Sequence, residues 1–420
     1  MKINFIYILI ILGSFGSLNA FSGAKNLQEN QGWNLAIYMQ ADNNLRDYAM
    51  WDLAEVSLGL FQTGKVKRPN IHVAIDLPGN EGYQLIKIKP KEVPLPSTVE
   101  EASQLNLSDF RFEIIETFLE EVPQEMVLSS LINSFSKDKK LFLSLWGHGE
   151  GFGAGKLAQF GGVALDDFPS QKLSVTEIRS VLESAEQKVD LLVFDACLMQ
   201  TLEVSYELKD LASLIVGSTQ IHNFKGLPYL EIIKLMHSES TAHDLALTLP
   251  ELTLNAFSGL HSDKFTMSSI NSVEMQLMFL PEFERVLRKL NNALDNDPFL
   301  KIEILMQLQL SQSFLGESRD LSSVLSFLEE FLKARDESNI LEDLNELRNS
   351  MNRMLVSYGY GDFYVYEPDY HLGSFKAFGI WLPLEQFDYQ LRKNDFIESS
   401  FYKNFPSWPR FLEKLHSTQI

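Results

Sequence analysis

A cysteine and a histidine each stand within three residues of the end of a short apolar run. Cys197 is the only cysteine among the 420 residues and follows the run at residues 191–194. His148 follows a second run, at residues 141–146, within a Gly-His-Gly sequence. Such runs are typical of buried parallel strands. A thiol and an imidazole that meet can act as nucleophile and general base, so the pair predicts covalent acyl-transfer chemistry.

The residues after Cys197 predict a strand-to-helix turn. Leu198, Leu202 and Tyr206 recur at helical spacing, which places Cys197 in the first turn of the predicted helix. The helix dipole and unpaired N–H groups there favour the thiolate. The alternative interpretation is a buried cysteine that acts as a small apolar side chain. Because the carboxyl ends of neighbouring parallel strands open into one crevice, we expect His148 and Cys197 to converge.

These residues resemble a known family. The sequences Asp-Ala-Cys-Leu-Met at 195–199 and His-Gly at 148–149 are similar to motifs of the clostripain family of caspase-like cysteine peptidases. The resemblance extends over about half of the chain. Its further segments are residues 33–45, with the Tyr-Met-x-x-Asp-Asn-Asn-Leu signature, residues 162–167, residues 214–229 and, more faintly, residues 379–383, Trp408 and Phe411.

The resemblance implies a role for each residue at the strand ends. Cys197 would attack a peptide carbonyl, and His148 would protonate the leaving amine and then activate water. Gly149 permits close approach of the backbone, and its N–H could form an oxyanion hole with the N–H of Cys197. No third member of a triad is identifiable from the sequence. Asp42 and Asn43, after the first predicted strand, could order the loops around the pocket or simply form a turn.

Substrate recognition is expected at Asp195, two residues before the cysteine. The resemblance implies that its carboxylate binds the Arg or Lys side chain before the cleaved bond. The alternative is that Asp195 caps the predicted cysteine helix. Ser218 and Thr219 are further substrate-binding candidates. The family commonly has acidic residues after Ser218, whereas this chain has Thr219 and Gln220, which weakens the expectation of a strongly basic preference.

Alternating strand and helix patterns predict the fold class. We expect an α/β protein, a caspase-like αβα sandwich with a mainly parallel sheet, followed by a largely helical C-terminal region. The peptidase domain is predicted at residues 31–262, and the helical region with returning strands at 263–420. Strands are predicted at residues 35–39, 71–75, 83–88, 141–146, 191–194 and 214–217, and helices at 47–60, 126–135, 275–294, 321–334 and 341–356.

Composition limits the partners and the destination of the chain. The net charge of −20 disfavours nucleic acid, which requires clustered Lys and Arg, and leaves a peptide or protein as the expected partner. Residues 1–22 have the charged start, apolar centre and small-residue exit of a secretory signal, so we expect a secreted or periplasmic protein. The alternative is an uncleaved segment that anchors the chain to a membrane. A single cysteine excludes an intrachain disulfide.

No cofactor is predicted, although some members of the family bind calcium. Asp166 and Asp167 are the nearest acidic pair, and adjacent loop aspartates are usually only solvated. The loop at residues 147–162 contains seven glycines but lacks the spacing of a phosphate-binding loop. Within it, Lys156 is a candidate for self-cleavage.

The sequence therefore predicts an exported cysteine endopeptidase with a preference for Arg or Lys before the cleaved bond. One alternative is a related transpeptidase or an asparagine-directed peptidase. Another is a non-catalytic binding protein on a caspase-like scaffold. Retention of both His148 and Cys197 favours an enzyme.

Overall fold

The computed structural model describes residues 32–65, 68–79, 82–152, 162–164, 172–222, 225–256, 264–361 and 375–417. Each strand predicted from the sequence coincides with an apolar run. The strands are β1 (Trp33–Gln40), β2 (Asn70–Asp76), β3 (Gln84–Lys89), β4 (Arg111–Thr117), β5 (Lys140–Trp146), β6 (Gly149–Gly151), β7 (Gly162–Val163), β8 (Val189–Asp195), β9 (Ala212–Gly217), β10 (Thr266–Asn271), β11 (Ser318–Asp320), β12 (Leu355–Tyr360) and β13 (Gly379–Trp381).

Helices alternate with the strands and then dominate after residue 272. They are α1 (Arg46–Gln62), α2 (Val99–Ala102), α3 (Gln124–Asn133), α4 (Val175–Ser184), α5 (Leu202–Leu208), α6 (Tyr229–Leu235), α7 (Ala242–Ala256), α8 (Ser272–Glu274), α9 (Leu280–Asn296), α10 (Leu300–Leu308), α11 (Leu321–Ala334), α12 (Ser338–Met354), α13 (Gln386–Ile397), α14 (Ser400–Asn404) and α15 (Ser407–Leu415). A π-helical segment, Met275–Phe279, joins α8 to α9.

Nine strands form one sheet in the order β12-β10-β9-β8-β5-β1-β2-β3-β4. The five strands from β9 to β2 are parallel to their neighbours. β10 and β12 at one edge, and β3 and β4 at the other, are antiparallel. Each of the predicted strands is present, and the predicted αβα sandwich with a mainly parallel sheet is confirmed.

Alternation along the strands gives the sheet two apolar faces. In β5, Leu141, Leu143 and Leu145 face one side, where they pack with α3, α4, α5 and the C-terminal helices. Phe142 and Trp146 face the other side, where they pack with α1, α6 and α7. Helices therefore cover both faces, as a buried parallel sheet requires.

The C-terminal region is largely helical, as predicted, but it also contributes to the sheet. Helices α9, α11, α12 and α15 pack on one another, while β10 and β12 extend the central sheet beyond β9. The sheet thus continues across the predicted boundary at residues 262 and 263, and the two-domain division stays a prediction. The predicted helix at 341–356 ends at Met354, because Leu355–Tyr360 pairs with β10.

Among the described residues, none of the helices combines the length and the apolar character that a membrane span needs. The predicted signal segment at residues 1–22 lies outside the described residues.

Candidate active site

The register of two neighbouring strands brings the predicted nucleophile and base together. In the parallel pair of β5 and β8, Trp146 lies opposite Asp195. His148 and Cys197 each follow two residues later, at the same edge of the sheet. Both line one cleft, together with Asp195. The convergence expected at the carboxyl ends of parallel strands is therefore present in the structure.

The helix after the cysteine begins later than predicted. Helix α5 starts at Leu202, and its N-cap is Thr201, whose hydroxyl accepts the N–H of Val204 at 3.4 Å. Cys197 lies in the preceding loop and Asp195 is the last residue of β8. The predictions that Cys197 occupies the first helical turn and that Asp195 caps it are wrong.

Long-range pairing explains why the loop does not become helical. Leu198 has a left-handed backbone, with φ of 64°, and its N–H donates to the carbonyl of Gln220 at 3.2 Å. The N–H of Gln200 donates to the carbonyl of Ser218 at 3.0 Å. The loop thus pairs with the chain after β9 instead of forming the i to i+4 bonds of a helix.

The environment of the thiol follows from this loop. Burial raises the pKa of Cys197, and the charge of Asp195 raises it further. The backbone N–H groups of His222, Cys197 and Gly149 act against burial and lower the pKa of the thiol. The N–H of His222 donates to Sγ at 3.2 Å. Burial prevails, so the resting group is the neutral thiol. The expected helix-stabilised thiolate is replaced by a thiol that must transfer its proton.

This environment predicts the pH dependence of thiol alkylation. Because the folded pKa of Cys197 is raised, the rate with iodoacetamide should stay low at mildly acidic pH and rise only above the range of an ordinary thiol. Asp195→Asn removes one cause of the raised pKa, so the midpoint should move to lower pH. Burial remains, and we expect the midpoint to stay above the ordinary value. Intact-mass kinetics across pH measure both midpoints, and a wild-type midpoint in the acidic range would contradict this description.

An asparagine that the sequence analysis did not single out holds the histidine. Nε2 of His148 lies 2.7 Å from Oδ1 of Asn44, in the loop between β1 and α1. Since an amide oxygen only accepts, Nε2 is the donor in this contact. Asn43 shapes this loop, because its Oδ1 accepts the N–H of Leu45 at 2.8 Å. The signal in the sequence was that Asn44 belongs to the Asp-Asn-Asn-Leu signature, which follows β1 at the same edge of the sheet.

Gly149 lies directly against the cysteine loop. A Cβ added to Gly149 would lie 2.2 Å from the carbonyl oxygen and 2.9 Å from the nitrogen of Cys197, so only glycine allows this approach. The N–H groups of Gly149 and Cys197 both lower the pKa of the thiol. Both predicted oxyanion-hole donors therefore lie beside the sulfur.

Asp195 forms the floor of the cleft. Its side chain is only 1% exposed. Oδ2 accepts the N–H of Leu227 at 3.1 Å and the hydroxyl of Tyr229 at 3.0 Å. Nε2 of His222 lies 3.2 Å from Oδ1. The carboxylate is thus held in place by α6 and the loop before it, with one oxygen directed toward His222.

A second buried carboxylate lies near the same floor and was missed by the sequence analysis. Asp52, on α1, is fully buried, and Oδ2 accepts the indole N–H of Trp146 at 2.7 Å. Burial raises the pKa of Asp52 well above its ordinary value, and the charges of Asp195 and Glu55 add to the rise. The available signal was an aspartate within the otherwise apolar stretch at residues 49–54.

Gly226 lies between the two carboxylates, and we expect its substitution to lower the stability of the fold strongly. Its φ is 66°, and an added Cβ would lie 3.0 Å from Oδ2 of both Asp52 and Asp195. Gly226→Ala should lower the free energy of unfolding by more than the roughly 1–2 kcal/mol of a left-handed alanine, because the methyl group also crowds both acids. Gly79→Ala is the matched control, since Gly79 has φ of 83° and a Cβ added there would meet no atom within 4 Å. Equal losses in urea unfolding would contradict the crowding.

The remaining substrate-binding candidates lie beside the cleft. The hydroxyls of Ser218 and Thr219 are buried and lie 3.1 and 3.0 Å from the hydroxyl of Thr266. Thr219 also lines a larger cavity of about 260 Å³ next to Gly149. Ser218 and Thr219 therefore use their hydroxyls within the fold, and their role toward substrate stays a prediction.

Metal binding and self-cleavage concern segments that are not described. In the described ranges, no group of three or more His, Cys, Asp or Glu side chains could hold a metal ion. The acidic pair Asp166 and Asp167 and the self-cleavage candidate Lys156 lie outside these ranges.

The chain belongs to the clostripain family, whose model matches residues 37–414. The family resemblance inferred from the motifs is thereby confirmed, and the chain is a cysteine-type peptidase by family.

Solved structures share the fold at low sequence identity. One is an inactive zymogen of a C11 protease from Parabacteroides distasonis, 19% identical, with a TM-score of 0.60 over 89% of this chain and 97% of that one. Another is a secreted C11 cysteine protease from Bacteroides thetaiotaomicron in complex with an irreversible peptide inhibitor, 16% identical, with a TM-score of 0.61 over 91% of this chain and 99% of that one. No curated protein sequence matches the chain.

Proposed function

We propose that this chain is an exported cysteine endopeptidase that hydrolyses peptide bonds after Arg or Lys through His148 and Cys197. The observation that carries the proposal is the single cleft lined by His148, Cys197 and the buried Asp195 in a chain of the clostripain family. The expected partner is a peptide or protein substrate.

The chemistry proceeds in two steps. His148 accepts the proton of Cys197, and the sulfur attacks the peptide carbonyl. The N–H groups of Gly149 and Cys197 stabilise the oxyanion, which collapses when His148 gives its proton to the leaving amine. Water then transfers a proton to His148 and attacks the thioester, releasing the acid and restoring the thiol. Asn44 acts as a positioning residue, since its Oδ1 lies 2.7 Å from Nε2 of His148 and orients the ring.

Electrostatics favour a cationic side chain before the cleaved bond. Asp195 is buried, and it carries a negative charge that raises the pKa of Cys197. A guanidinium or ammonium group on Asp195 would offset this charge and so favour the thiolate at the moment of binding. Binding of the correct side chain and activation of the nucleophile are coupled in this proposal.

Export is supported by two observations. The first is the secretory pattern at residues 1–22. The second is that one structure of the same fold comes from a protein described as secreted. Comparing the N-terminus of the protein recovered from outside the cytoplasm with residue 1 tests this part, and an intact N-terminus on cytoplasmic protein would contradict it.

A matched peptide panel tests the peptidase proposal. The peptides differ only before the cleaved bond, with Arg, citrulline, Lys, norleucine or Asn there, and Cys197→Ala is the control. We expect cleavage after Arg and Lys at least about 100-fold faster than after citrulline and norleucine. Cleavage after Asn, or products joined to an added amine, would favour the related enzymes. Absence of cleavage in both proteins would favour the binding scaffold.

A further inference from the structure

The cleft at Cys197 is too small for the substrate side chain that it is proposed to bind. Its free space is about 30 Å³, between Leu45, Trp146, His148, Asp195 and Gly226. A single water needs roughly 10–15 Å³ by this measure, so about two waters fit. An extended lysine or arginine side chain is several times larger. A side chain of that size therefore requires a group that lines the cleft to move.

The side chain that lies against Asp195 in the cleft is that of His222. Its side chain is only 4% exposed, and Nε2 lies 3.2 Å from Oδ1 of Asp195. Its ring packs beside Phe265, with the two centroids 6.2 Å apart, and its backbone N–H donates to Sγ of Cys197. An imidazole, which becomes a cation on protonation, thus contacts the carboxylate that is proposed to receive the substrate cation.

Two buried carboxyl groups lie beside this contact. Asp52 and Asp195 both approach Gly226, and each has a buried oxygen, Oδ1, that accepts no hydrogen bond among the described side chains and backbone. Burial of a carboxylate without a compensating partner is strongly unfavourable. Lys225 also interacts with Asp52, although its ammonium lies over the ring of Trp51 at 3.9 Å. Two acids with incompletely satisfied oxygens therefore define an acidic floor beside the nucleophile.

We propose that Asp52 and Asp195 form a site for one organic cation, that His222 is its resident occupant, and that a substrate Arg or Lys side chain binds by displacing the His222 side chain. The inference rests on the proposed function and adds two specificity-determining residues, Asp52 and His222. A substrate cation would pair with the carboxylate of Asp195, whereas an uncharged side chain that displaced His222 would not. Displacement therefore favours basic side chains even before any chemical step.

Benzamidine, an aryl amidinium, tests the site without turnover. Binding to the full mature chain is measured by calorimetry for wild type, His222→Ala and His222→Gln, with neutral benzamide as the uncharged probe. Removal of the occupant should strengthen benzamidine binding by about 10-fold or more, with little effect on benzamide. His222→Gln keeps a polar side chain of similar size and should give a benzamidine affinity between those of wild type and His222→Ala. Unchanged benzamidine affinity in His222→Ala would overturn the inference.

Matched variants separate this inference from folding effects and from the peptidase proposal. His243→Ala, an exposed histidine on α7, should bind benzamidine as wild type does. Asp52→Asn should weaken benzamidine binding in the His222→Ala background, and no change there would remove Asp52 from the site.

With Arg peptides, His222→Ala should lower KM more than it changes kcat. Cleavage after Arg that is indifferent to His222→Ala would retain the function and overturn the inference. Stronger benzamidine binding by His222→Ala without any peptide cleavage would retain the inference and overturn the peptidase proposal.

Discussion

Cys197→Ala removes peptide cleavage, and His148→Ala lowers kcat by about 1000-fold or more. The reason is that the first variant lacks the nucleophile, while the second lacks the group that moves the proton of a thiol with a raised pKa. Steady-state kinetics with an Arg peptide measure both losses. Asn44→Ala should lose less, roughly 10-fold to 100-fold in kcat, because Asn44 only orients the imidazole.

Two controls apply to Cys197→Ala and His148→Ala. One tests whether the variants fold, and the other tests whether His148 is the general base. Circular dichroism and the urea midpoint of each variant should match the wild type, since His148 and Cys197 lie at strand ends and not in the apolar core. If His148→Ala kept more than about a tenth of the wild-type kcat, another group would be the base. His222, the other imidazole beside Cys197, would then be examined by the corresponding double variant.

Asp195→Asn lowers kcat/KM for Arg and Lys peptides by about 100-fold to 1000-fold, while cleavage after norleucine changes little. Loss of one partner from a buried charged pair typically weakens the interaction by about 2–5 kcal/mol, which corresponds to this range. The selectivity ratio between Lys and norleucine peptides is therefore the measured quantity.

The matched control for Asp195 stands at the other end of the same strand. Asp190, near the start of β8, accepts the N–H of Leu141 at 2.8 Å and lies far along the strand from the cleft. Asp190→Asn should leave the selectivity ratio unchanged. Equal losses on Lys and norleucine peptides in Asp195→Asn would indicate that Asp195 only supports the fold through Leu227 and Tyr229.

The sheet and the convergence of His148 and Cys197 could be predicted because they depend on local patterns. Apolar runs identified the strands, and alternation with helices implied parallel neighbours, which place residues after β5 and β8 at one edge. The same reasoning brought His148 and Cys197 together. A capping box between Ser174 and Glu177 starts α4, and its Ser-x-x-Glu spacing is likewise a local pattern of the sequence.

The details of the pocket could not be predicted because they depend on contacts between distant segments. The start of the cysteine helix was misplaced because Leu198 and Gln200 pair with residues 218–220. Likewise, Asp52 reaches the floor from α1 and His222 from the chain after β9, and no local pattern links either to Cys197. The pairing of β10 and β12 with the sheet is a further long-range event, since a mostly helical sequence separates them.

Covalent labelling by two peptide chloromethyl ketones, identical except for a terminal lysine or norleucine, tests the central claim most directly. Intact mass and peptide mapping follow the rate and position of modification in wild type, Cys197→Ala and Asp195→Asn. We predict a single modification at Cys197, at least about 100-fold faster with the lysyl compound, lost in Cys197→Ala and no longer selective in Asp195→Asn. Equal rates for both compounds in the wild type, or modification away from Cys197, would contradict the proposed nucleophile and its cation pocket.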